Sequence, residues 1–289
     1  MMAGIQDSKA KAGGESLIVQ TVKQAGKVVE MMGKPAILLL DAFFFSKTTL
    51  RTAACYVGRN GQGLLSVITR SKGIAVAYRE PEHQERKRRG RRRIYGKKVT
   101  LKTLFEKNRK DFITTHLVLY GSKTRVQYLR VDLIHRPTRL PVRVVLTAIG
   151  TSRFILMSSS RALDGETIIS LYAQRFKIEG LFGELKNRLE GFGYHFWTFS
   201  LERRKKGALP VLPRDKKMRY DIEMTKKSME IFVFCHCLSY AILTGLALTG
   251  SEGIWGRFTG WLRNVQTSYP SLWVTKQVIS EEFHRFLPK

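Results

Sequence analysis

Within LYAQRFKIEGLFGELKN, residues 171–187, a tyrosine, an arginine, a glutamate and a lysine stand at intervals of three, four and seven: Tyr172, Arg175, Glu179 and Lys186. These are the residue types that phosphodiester chemistry uses. A carboxylate can hold a divalent metal ion. A guanidinium and an ammonium group can hold phosphate oxygens. On an unbroken α-helix, at about 100° per residue, Tyr172 at zero puts Arg175 at about 300°, Glu179 at about 340° and Lys186 at about 320°. The four then share a stripe about 60° wide, and Leu171, Ile178, Leu181, Phe182, Leu185 and Leu189 fill a separate apolar arc. An ordinary amphipathic helix also turns its polar residues away from the core. That account does not explain why Lys177, Glu184 and Arg188 fall off the stripe.

A second carboxylate must come from elsewhere in the chain. AILLL, residues 36–40, reads as a strand buried on both faces, and it ends in Asp41. An aspartate there can simply cap a turn. It can also offer rigid oxygen ligands to Mg²⁺, which prefers carboxylate and water. LLSVIT, 64–69, reads as a second buried strand, followed by Arg70 and Lys72. Those two cations sit at the strand end where an open α/β sheet usually carries its site.

The spacing Tyr172-x2-Arg175-x3-Glu179-x6-Lys186, together with LLLDAFFFS around Asp41, resembles the signature of bacterial insertion-sequence transposases of the DDE class. The resemblance covers residues from about 30 to 250. It implies an α/β, ribonuclease H-like mixed sheet with helices and a β-rich insertion, incomplete at the N-terminus. It further implies catalytic and metal-binding roles for Asp41 and Glu179, with two Mg²⁺ (or Mn²⁺) ions. Tyr172, Arg175 and Lys186 would contact the transposon end, and Arg70 and Lys72 would add DNA contacts. The implied partners are double-stranded DNA, as transposon ends and target, and a second copy in a synaptic dimer. The implied reaction is Mg²⁺-dependent cleavage at the element's ends followed by strand transfer. The family has one more catalytic Asp upstream, on the first strand of its fold. Forty residues precede Asp41, and their one aspartate, Asp7, lies in a polar stretch. The expectation is therefore a chain that binds DNA but cleaves it poorly, if at all.

The composition agrees with a polyanionic partner. Lys and Arg number 51 against 23 Asp and Glu, a formal charge of +28. Nucleic acid is the commonest polyanion that such a charge serves, and an anionic membrane surface or RNA is the rival. In RKRRGRRRIYGKK, residues 86–98, nine of the thirteen residues are Lys or Arg, which reads as a phosphate-binding strap in a loop. The three cysteines, Cys55, Cys235 and Cys237, suit a reducing, cytoplasmic setting without a cysteine zinc site.

These residues need elements to position them. Residues 1–14 read as loose. Glu15 to Met32 reads as a helix stopped by Gly33 and Pro35, and a further helix covers 46–57. Residues 112–160 read as four strands by β-branched alternation, and a helix spans 165–190 behind the capping sequence DGET. The domain reading is core from 15 to 72, a β-rich insertion from 73 to 150, the rest of the core from 151 to 250 and a helical tail from 251 to 289. Ile231 to Leu248 is eighteen residues without formal charge. It reads as a buried core helix in preference to a membrane span, which needs about 20 residues. YHFW, 194–197, reads as core.

Overall fold

The computed structural model describes residues 15–81, 93–193, 215–262 and 268–286. The described residues divide into two compact units, one up to Phe176 and one from Lys177 onward.

The first unit is α/β. Helix α1, Leu17–Met32, starts at Ser16, whose side chain accepts the Val19 N–H. It stops at Gly33, which takes φ 62°, a left-handed conformation that costs glycine least. Strand β1 (Ala36–Leu40), α2 (Lys47–Ala54) and β2 (Leu65–Ser71) follow as a parallel β-α-β unit, with Leu40 opposite Thr69. Strands β3 (Val76–Tyr78) and β4 (Lys98–Thr100) flank the basic segment, and a short α3, Leu104–Lys107, comes next. Then come β5 (Ile113–Leu119), β6 (Ser122–His135), β7 (Leu140–Ile149) and β8 (Ser152–Ser158), which match the four expected strands. All eight strands form one mixed sheet, in the order β1-β2-β8-β7-β6-β3-β4, with β5 beside β6.

The alternation of side chains along each strand gives the sheet two apolar faces. One holds Leu40, Val67, Val144, Leu146 and Met157, packed with Val22 and Val29 of α1 and Leu50 of α2. The other holds Ile68, Val126, Tyr128, Val145 and Leu156, packed with Ile168 and Ile169 of α4, Gly165–Gln174. Gly165 allows that close seat. A Cβ there would lie 2.4 Å from a ring carbon of Tyr128, so any larger residue would lift the start of α4 from the sheet.

Three expectations need correction. Strand β1 is the edge of the sheet, so only Leu40 is buried and Ile37 is 36% exposed. An uninterrupted apolar run shows that a strand meets two apolar faces, but not whether it has neighbours on both sides. The helix expected over 165–190 is two helices, α4 and α5 (Lys177–Asn187). Between them the ladder tightens, with Arg175 N–H donating to Tyr172 and Phe176 N–H to Ala173. This turn directs Phe176 onto Tyr120, ring centroids 5.7 Å apart, at the tip of the β5–β6 hairpin. That contact lies more than fifty positions away in the chain, where local periodicity has no reach.

The third correction concerns the second unit, which is helical: α5, α6 (Lys216–Thr249), α7 (Ser251–Arg257) and α8 (Leu272–Phe286). Leu185 and Leu189 pack with Leu243 of α6 and Leu272 and Ile279 of α8. The apolar half of α6 is not a buried core. Its most apolar eighteen-residue window has a mean hydropathy of 2.0 and is 6% buried. Ile231, Phe234, Leu238 and Ile242 are exposed. Among the described residues, α6 is the one helix long and apolar enough, by length and composition, to cross a membrane. Residues 194–197 and most of the basic segment lie outside the described residues.

Candidate nucleic-acid interface

The register of the sheet builds the candidate site. Asp41 follows Leu40 at the end of β1, and Arg70 follows Thr69 on β2, so the two occupy neighbouring positions at one sheet corner. Alternation assigns both to the face of Leu39 and Ile68, which is the face under α4. The Thr69 hydroxyl donates to the Asp41 carbonyl at 2.9 Å and ties the two strand ends together. Asp41 itself caps the short 3₁₀ turn Ala42–Phe44, its Oδ1 accepting the Ala42 N–H at 2.6 Å. Capping is therefore one of its roles.

Helix α4 brings Tyr172 and Arg175 to the same corner. Tyr172 is half-buried and packs with the Ile68 cluster. The Arg175 guanidinium lies over its ring, 6.0 Å from the centroid. Arg70 lies over Phe154 of β8, 5.7 Å from that centroid. Resting on aromatic faces limits the freedom of both guanidinium groups and keeps them directed for a bidentate anion contact. Burial raises the Tyr172 pKa above its ordinary value. Asp41 adds to the rise, and Arg175 and Arg70 oppose it. Those influences mean that three charged groups from β1, β2 and α4 converge on one phenol.

This gives a direct test. The Tyr172 phenol stays protonated past its usual pKa of about 10. Asp41→Asn removes a repelling charge, so it should lower that pKa. NMR titration of ring-labelled tyrosine, with Tyr172→Phe to assign the signal, reads the shift. An unchanged pKa would mean that Asp41 and Tyr172 do not share the corner.

Two of the loop connections hold α4 in register with the sheet. Arg143 of β7 donates from Nε and Nη2 to Asp132 of β6, both at 2.7 Å, and from Nη1 to the Leu163 carbonyl at 2.6 Å. Asp164, one residue on, caps α4 by accepting the Thr167 N–H at 2.6 Å. Arg143 thus joins the sheet to the loop that launches the helix. Sequence reasoning did not single it out. Its only signal was Asp132 and Arg143 lying opposite in the β6–β7 pairing, which requires the register to be known.

Among the expected residues of the first unit, one does not join the corner. Lys72 is exposed in the turn after β2 and is not among the charges acting on Tyr172. Glu179 and Lys186 belong to the second unit. They are exposed on α5, seven positions apart and so on one side of that helix. The four residues thus belong to two units, Tyr172 and Arg175 to the first and Glu179 and Lys186 to the second.

The donor set around Asp41 does not by itself fit a Mg²⁺ centre. Mg²⁺ takes six oxygen ligands and is held by one or two carboxylates with water and phosphate. Here one carboxylate, already accepting a backbone N–H, is the acid that acts on Tyr172 beside two arginines. Among the described residues, no group of three or more His, Cys, Asp or Glu side chains is placed to share a metal ion. What the corner can do is grip an anion: two guanidinium groups resting on aromatic rings, and a phenol. No protein-family model matches the chain, and no curated protein matches it.

Proposed function

We propose that this chain is a DNA-binding protein of the insertion-sequence transposase type, built on a ribonuclease H-like core, and that the β1–β2–α4 corner grips the phosphate backbone. The observation that carries this is the convergence of Arg70, Arg175 and Tyr172 on one corner of the sheet face beneath α4. The formal charge of +28 supplies the long-range attraction. The Tyr-Arg-Glu-Lys spacing and the apolar strand ending in Asp41 connect the grip to transposon-end DNA. Double-stranded DNA as partner, a synaptic homodimer and a cytoplasmic setting belong to this reading.

A second reading is metal-dependent cleavage with strand transfer, for which the family pattern uses Asp41 and Glu179 with two Mg²⁺ ions. Asp41 is the one carboxylate that the first unit brings to bear on Tyr172, which supports binding without cleavage by that unit. One experiment separates the readings. The full chain is incubated with labelled duplex DNA, with Mg²⁺ or Mn²⁺, across a salt series. The expected result is tight binding that weakens steeply with salt, and intact strands. Cleavage abolished by Asp41→Asn and by Glu179→Gln would establish the second reading. Absence of duplex binding at low salt would end both.

A further inference from the structure

The second unit contains a groove that the phosphate grip does not use. It lies between α5 and α8, has a volume of about 650 Å³, and is lined by Gly180, Gly183, Glu184, Asn187 and Arg188 on one side and Trp273 and Lys276 on the other. Small-molecule sites usually occupy roughly 300 to 1,000 Å³. The positions on α5 follow a helical period, so they form one face. Its first two members are glycines, and a Cβ at either would meet nothing within 4 Å, so the groove stays open along that side.

The chemistry of the walls is specific. Trp273 is 39% exposed, and an edge-on contact with Phe258, centroids 5.9 Å apart, fixes its tilt. Four polar side chains line the groove with the ring: Glu184, Asn187, Arg188 and Lys276. Asn187 offers both amide donor and acceptor. The Lys276 ammonium donates to the Arg188 carbonyl at 2.8 Å, which joins α8 to the end of α5. The Arg188 Nε lies 2.9 Å from Glu184 Oε2, so one acid partly offsets two cations. The groove therefore presents a flat aromatic face, an amide and net positive charge.

We propose that this groove binds an unpaired nucleotide of single-stranded DNA, with the base stacked on Trp273 and the phosphate held by Lys276 and Arg188. Base–aromatic stacking tolerates any base, and flanking cations follow the backbone. Asn187 is placed to meet a base edge. The inference rests on the nucleic-acid reading above but uses a different unit and a different strand state. A protein that handles duplex at one site and an unpaired nucleotide at another can hold a frayed or displaced end.

The test measures anisotropy of a labelled twelve-residue oligodeoxythymidylate with the full chain at moderate salt. Trp273→Leu keeps apolar bulk against Phe258 and removes the stacking ring. Trp273→Phe keeps a ring. The expected result is roughly tenfold weaker binding for Trp273→Leu, near wild-type binding for Trp273→Phe, and unchanged duplex affinity in both. An abasic oligomer of the same length should bind the wild type as weakly as oligodeoxythymidylate binds Trp273→Leu. Equal affinity of wild type and Trp273→Leu, or equal affinity for abasic and thymidine oligomers, overturns the proposal. If the wild type binds duplex but not the oligomer, the groove inference fails alone. If it binds neither, the DNA reading fails with it.

Discussion

Replacing Arg70 and Arg175 together with alanine should weaken duplex DNA binding by more than any other surface change in the first unit. Each arginine that neutralises a phosphate releases about 0.9 counterion from B-DNA, so loss of two such contacts should reduce the slope of log K against log salt by about 1.8. Affinity near 0.1 M salt should fall by roughly 10- to 100-fold, each lost contact being worth on the order of 1 kcal/mol or more. Both side chains lie over aromatic rings at the surface, so thermal stability should change little. A matched control replaces Lys107 and Lys110, which are exposed in the first unit and lie outside both the corner and the basic segment. That control also removes two charges and so corrects for net charge alone. Equal slopes for the two double variants would show that charge count decides binding and that the corner has no special part in it.

The second large effect concerns Arg143→Met. The side chain is 11% exposed, and its three hydrogen bonds reach Asp132 and the Leu163 carbonyl. Methionine leaves both acceptors unpaired. Hydrogen bonds involving charged groups contribute about 1.5–3 kcal/mol each in favourable settings. Asp132 is 37% exposed, so water takes over part of the loss there. The expected destabilisation is about 2–3 kcal/mol, read by denaturant unfolding. The hydrogen bonds from Arg143 are the main reason the Asp132 pKa lies below the usual carboxylate range. A carboxylate whose folded pKa is depressed contributes stability above its unfolded value, about 4, and loses it as pH falls through the folded value. The wild type should therefore lose this increment below about pH 4, and Arg143→Met should lose less over the same window. Because Arg143 also anchors the loop before α4, the variant should loosen the corner, visible as faster amide exchange at Thr167 and Ile168. Unchanged stability at neutral pH would mean that the pair is a surface contact of no consequence.

Much of the first unit was legible in local patterns. The helix of α1 came with a serine at one end and a glycine at the other, and backbone sterics make that reading nearly independent of the rest of the chain. The long strands β5 to β8 carried enough β-branched alternation to be recognised. Strands β3 and β4 were missed because three residues hold no period. The site was half legible. Tyr172 with Arg175, and Asp41 with Arg70, stood out by residue type and by position at element ends. Arg143 and Trp273 did not, since their meaning depends on which strand or helix lies opposite.

What the sequence by itself determined was element type, polarity and charge, because these follow from neighbours within a few positions. The tertiary structure alone decided three things: β1 is an edge strand, the helix breaks where Phe176 meets Tyr120, and the apolar half of α6 is left largely uncovered. Each turns on contacts between residues remote in the chain. An apolar side chain records that burial would be favourable, and only the packed fold determines what, if anything, covers it.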